Sequence, residues 1–170
     1  MYNKCMFRIS KENSFKLLWL TLFGIAFGYV EAAVVVYLRA LFYPGGFNIP
    51  LTLGFPFIYF GTTPFLQPVS HNILLAETGR EAATILMLAS VAFLSGKTLK
   101  QKLAFFLLPF AVWDIFYYVF LKVLIGWPAS LSTLDVLFLI PVPWISPVWL
   151  PLSASLLIIF CSLYLLSKEK

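Results

Sequence analysis

The chain has 170 residues, of which 61% are hydrophobic, 18% aromatic and only 11% charged, with a net charge of +5. A soluble domain carries about a quarter charged residues, so this chain cannot cover itself with a polar surface in water, and no polar stretch is long enough for a separate soluble domain. The basic excess flanks apolar runs instead of forming an aromatic-interleaved patch, which excludes nucleic acid as a partner and points to membrane topology.

Phe15–Tyr43 is the first apolar segment. At about 29 residues it spans a bilayer, and it is far longer than the roughly 7–15 residues of a signal-peptide core. Pro44-Gly45-Gly46 ends it. Residues 44–70 are apolar but interrupted by Pro44, Pro50, Pro56, Pro64 and Pro68. They read as an outer loop folded over the end of a bundle. Asn72–Ser95 is the second segment and residues 96–102 form a short basic loop. Leu103–Ile125 is the third, with a kink expected at Pro109 and a stop at Gly126-Trp127-Pro128. In 126–147, Pro141, Pro143 and Pro147 keep the run short of the roughly 20 residues a span needs, so a short interfacial or re-entrant helical piece is expected, with Asp135 as its N-cap. Val148–Leu166 is the fourth segment.

Nine of the twelve Lys and Arg lie at the start of segment one, in the 97–102 loop and at the end of the chain. Four spans put all nine on one side, which places both termini in the cytoplasm. The expected fold is therefore an all-α integral membrane protein, a four-transmembrane-helix bundle in the cell membrane. Cys5 is a plain thiol or a palmitoylation site. Cys161 lies inside segment four, and no CxxC motif is present.

An offset of 83 places Glu31 on Asp114, Arg39 on Lys122 and several apolar residues on their like. This suggests a parallel repeat with Glu31 and Asp114 at equal depth.

Ionisable groups within a membrane cost several kcal/mol unless paired, so those left over are functional candidates. By helix rise, Glu31 lies about 20 Å, Glu81 about 21 Å and Asp114 about 16 Å from the inner ends of their segments. Arg80 shares that layer and Glu77 lies one turn further out. Gly24, Gly28 and Ala32 form a small-residue stripe beside Glu31, which turns it toward protein. Glu31, Glu77, Arg80, Glu81 and Asp114 are therefore expected to converge in a polar site that opens outward beneath 44–70, with Glu77 and His71 at its mouth. Three acids facing one arginine leave negative charge, which calls for a proton or a cation. Arg39 and Lys122 read as interfacial anchors, and Tyr117, Tyr118, Trp113 and Trp127 as packing or interface-belt residues.

The leading expectation is a transport protein for a proton, a cation or a cationic small molecule, working as a homo-oligomer because four helices are few. A second is a membrane-embedded enzyme acting on a lipid-linked substrate, with carboxylates and His71 around a divalent metal ion such as Mg or Mn. A single histidine excludes a bis-histidine haem and a four-helix di-iron site, and no Ser/His/Asp or Cys/His set appears. A third is a non-catalytic subunit of a larger membrane complex. Membrane lipids are the expected surroundings of such a bundle.

Overall fold

The computed structural model describes residues 9–47, 49, 66, 68–141 and 143–168. Cys5, most of the proline-rich 44–70 loop and its expected role as a lid lie outside them. The described chain is all-helical apart from one hairpin. Its order is α1 (Lys11–Phe42), α2 (His71–Ser95), α3 (Leu99–Ile125), β1 (Leu134–Phe138), β2 (Trp144–Pro147) and α4 (Trp149–Ser167).

Local chemistry sets the helix ends. Ser10 caps α1 by accepting the Asn13 N–H at 3.2 Å, and Thr98 caps α3 by accepting from Gln101, also at 3.2 Å. The Thr98 cap starts α3 four residues earlier than its apolar run suggests, so most of the basic 96–102 loop is helical. Gly96 makes the α2–α3 turn tight: a Cβ there would lie 2.6 Å from the Lys102 nitrogen. Gly126, at φ +70°, closes α3 in the left-handed conformation that glycine adopts without strain. Lys122 then donates to the Gly126 and Pro128 carbonyls at 3.0 and 2.8 Å.

α3 is the centre of the bundle and packs against α1, α2 and α4. Its contact with α1 depends on two glycines. A Cβ on Gly24 would lie 2.9 Å from the Pro109 carbonyl oxygen, and one on Gly28 2.9 Å from that of Trp113. Those neighbours are backbone and cannot swing away. The pairings Gly24–Pro109 and Gly28–Trp113 advance together, so α1 and α3 are parallel. α2 and α4 run back: Lys16 Nζ donates to the Ser95 carbonyl at 2.9 Å, and Ser162 Oγ to that of Ala104 at 2.8 Å.

The packing corrects the repeat reading. With Gly28 against Trp113 and Tyr117, Glu31 stands level with Tyr117 and Tyr118, and Asp114 lies about one turn, roughly 5 Å, nearer the start of α3. The two acids therefore do not share a depth.

A second correction concerns 126–147. Instead of a helical piece, β1 and β2 form an antiparallel hairpin with a bulge between Val136 and Phe138. Val136, Phe138 and Ile145 suit an extended chain, and the prolines that forbid a helix are tolerated at the ends of a two-stranded ribbon. Asp135 is consequently no N-cap. It sits on β1, 2% exposed.

α1, α3 and α4 are long and apolar enough to cross a membrane. α2 has 25 residues, about 37 Å of helix, but carries Glu77, Arg80 and Glu81. At the end of the bundle where α2 ends and α3 begins, Leu20, Ala92, Ala104, Phe105, Leu108, Val112 and Leu166 form the apolar core.

Candidate functional site

The opposite end, where α1 ends and α2 begins, is not filled. A cavity of about 140 Å³ lies between α1, α2, α3 and the hairpin. Five carboxylates line it, Glu31, Glu77, Glu81, Asp114 and Asp135, together with Arg39 and Arg80. Fully ionised, they leave a formal charge of −3. Val35, Leu38, Phe47, Leu74, Trp113, Tyr117, Tyr118, Val136 and Phe138 provide apolar and aromatic walls.

Arg80 joins α2 to α1. Its guanidinium pairs with Glu31, and within α2 its Nη2 lies 2.7 Å from Glu77 Oε2 and its Nε donates to the same oxygen at 2.8 Å. The pairing with Glu77 follows from the i, i+3 spacing, which puts both side chains on one helix face. Two acids thus share one base.

Glu81, one residue along, takes no part in that pairing. Its Oε2 accepts the backbone N–H of Leu139, just past β1, at 2.8 Å. Asp114 accepts from Ser155 Oγ of α4, also at 2.8 Å. Among the described residues neither acid forms an ion pair. Ser155 lies among the apolar residues of α4, and nothing in the sequence signals that it faces an acid.

The hairpin supplies the third group. Asp135 accepts from Arg39 Nη2 at 3.3 Å, and from the Tyr117 and Tyr118 hydroxyls at 3.3 and 3.2 Å. Arg39 is therefore no interfacial anchor. Its guanidinium lies 3.7 Å from the Trp127 ring centre and 4.8 Å from that of Phe47, so it is buried by cation–π contacts and by its acid. Burial pushes the Asp135 carboxyl up to about 6, while Arg39 and the two tyrosine hydroxyls oppose the shift. The spacing of Tyr117 and Tyr118 from Asp135 hid this network, because the turn at 126–133 folds the hairpin back onto α3.

The candidates named from sequence, Glu31, Glu77, Arg80, Glu81 and Asp114, all line this one cavity. His71 does not. It is exposed at the start of α2, where Ser70 occupies the cap position. Among the described residues no three His, Cys, Asp or Glu side chains are placed to hold a metal ion.

No known protein family matches the chain, and no curated protein or solved structure is similar to it.

Proposed function

We propose that this chain is a four-span membrane protein, both ends cytoplasmic, that binds a cation or cationic small molecule in the acid-lined cavity and moves it across the bilayer in exchange for protons. The observation that carries the reading is the imbalance in the cavity: five carboxylates face two guanidiniums, and Glu81 and Asp114 have only neutral donors. A surplus of buried acids is costly unless protons or a cation compensate it, and a carrier uses that alternation.

The face of α2 supports its role as the fourth span. Glu77 and Arg80 are largely covered, at 16% and 25% side-chain exposure. Its exposed positions include Leu75, Leu86, Met87, Phe93 and Leu94, which suit lipid. The charge count favours an even number of crossings, which puts the cavity in the outer half of the bilayer. A metal-dependent enzyme is the weaker reading, since no three metal-binding side chains converge among the described residues.

The test compares Glu81→Gln with Arg80→Ala in purified protein. On the carrier reading Glu81→Gln abolishes cation binding while thermal stability holds or rises. Arg80→Ala leaves Glu31 and Glu77 unbalanced and lowers stability by about 3–5 kcal/mol. Equal stability losses in both variants mean a purely structural knot and sink the proposal.

A further inference from the structure

Far from the cavity, α2 and α3 share a face beside their tight turn. Leu99, Lys102 and Leu103 stand at i, i+3 and i+4 on α3 and so lie on one side of that helix. Leu99 is 81% exposed, Leu103 is exposed too, and Phe93 of α2 is 66% exposed. Lys102 joins the two helices, because its Nζ lies 3.5 Å from the centre of the Phe93 ring. The negative face of a ring attracts such an ammonium. Phe93 lies in the last turn of α2 and Lys102 in the first turn of α3. Both are therefore within about 5 Å of the helix ends, where headgroups meet acyl chains around a spanning helix.

No acid neutralises that ammonium among the described residues. Glu12 is the one acid described at this end, and Lys16 and Lys97 take it at 3.0 and 2.9 Å. Two lysines against one acid leave even that cluster positive, and Lys100 adds a further charge at the turn. Snorkelling alone would carry Lys102 past the helix end into water. Here the ammonium stays over a ring whose other surroundings are exposed leucines. On a helix apolar enough to cross a membrane, as α3 is, that face meets lipid. Its charge calls for an anion that arrives with an apolar tail.

We infer that this face is a binding site for one anionic phospholipid, its phosphate on Lys102 and an acyl chain along Phe93, Leu99 and Leu103. A zwitterionic lipid offers the same phosphate, but its own ammonium competes for it and meets the positive field of Lys97 and Lys100. A headgroup of net negative charge is therefore preferred. The site needs only that α3 lies in the membrane, so it stands apart from the cavity and from any cargo bound there.

Native mass spectrometry of the full chain in detergent tests this by titrating phosphatidylglycerol and phosphatidylcholine with identical acyl chains. Phosphatidylglycerol is expected to bind about fivefold more tightly, the worth of one lysine at a membrane surface. Lys102→Gln should bring that ratio toward one. Lys11→Gln makes the same charge change at the exposed start of α1 and should leave the ratio unchanged. Phe93→Leu keeps an apolar face and releases the ammonium, so the ratio should fall, and this variant reports even if Lys102→Gln fails to fold. Equal binding of the two lipids to the wild type overturns the inference. So does an equal loss in Lys11→Gln and Lys102→Gln, which means a diffuse field, or a ratio that Phe93→Leu leaves intact. Displacement of the lipid by equimolar glycerophosphoglycerol, the headgroup without chains, also overturns it, since the apolar half of the site would then contribute nothing.

Discussion

The two ends of the bundle are built from the same helices under opposite rules. At the end where α2 gives way to α3, the inner end of the proposed topology, α3 packs through Ala104, Phe105 and Leu108 against Leu20, Ala92 and Leu166, and the Ser162 hydroxyl is satisfied by the Ala104 carbonyl. Apolar groups meet apolar groups, and the polar atoms are closed locally. At the outer end α1 and α2 are held by Arg80 and Glu31, and the hairpin by Asp135 and Glu81. Charge joins a small apolar cluster around Ile49 and Ile145 there, and a cavity remains. A bundle needing only stability would extend the inner rule along its length, because a well-packed apolar substitute often equals or exceeds a buried ion pair. The outer end is the part that departs from that rule.

That contrast breaks most sharply at Asp135. Its carboxylate serves Arg39, Tyr117 and Tyr118 at once. Asp135→Ala strands a buried guanidinium, with an expected loss of about 3–5 kcal/mol in detergent unfolding. Leu88→Ala, a fully buried apolar truncation near the inner end, should cost about 2–5 kcal/mol but leave ligand binding intact. If Asp135→Ala unfolds like the wild type, the hairpin is not held by charge.

The join between the two ends is next in size. Gly28→Ala brings a Cβ to 2.9 Å from the Trp113 carbonyl and 3.1 Å from the Tyr117 nitrogen. α1 must then move off α3, at an expected cost of about 1–3 kcal/mol. Gly79→Ala on α2 meets nothing within 4 Å and should be neutral or stabilising by up to about 1 kcal/mol. Equal effects at the two positions, measured as unfolding midpoints, would remove the close α1–α3 approach as the reason for the small-residue stripe.

Much of the outer end was legible in the sequence because the cost of charge in lipid is a rule that needs no partner to be known. Glu31, Glu77, Arg80, Glu81 and Asp114 stood out as charges within apolar runs, and helix rise with small-residue facing sufficed to group them. Asp135 and Arg39 were misread for a shared reason. Each lies at the edge of an apolar run, where an anchor or a cap is the ordinary reading, and only the return of the hairpin brings them together. Prolines argued against a long helix in 131–147, and none forms there, yet they do not distinguish a short helix from a short ribbon. Ser155 and Ser162 were invisible, since a serine on an apolar helix shows no facing until its neighbour is known. The repeat offset failed because residue identities fix an alignment, whereas the glycine contacts fix the stagger.

The smallest effect separates the ends by pH. Asp135 belongs to the hairpin, outside the spanning helices, and its pKa stands at about 6 against an ordinary value of 3.8. An acid raised on folding binds its proton more tightly in the native state, so between these two values the native protein holds more protons than the unfolded chain. Stability therefore rises as the pH falls through 6 and levels off near 4, the reverse of a salt-bridged acid whose pKa is depressed. Between pH 7 and pH 5 this group contributes about 1 kcal/mol of added stability on acidification. Other carboxylates line the same cavity, so the measurement is a difference: unfolding free energy at pH 7 and pH 5 for the wild type and for Asp135→Asn. The asparagine keeps the shape and loses the proton equilibrium, so its pH slope should be shallower by about that amount. A matching slope in the two proteins would mean that Arg39 and the tyrosines hold Asp135 ionised throughout, and the outer end would then be a fixed charge lattice rather than one that exchanges protons.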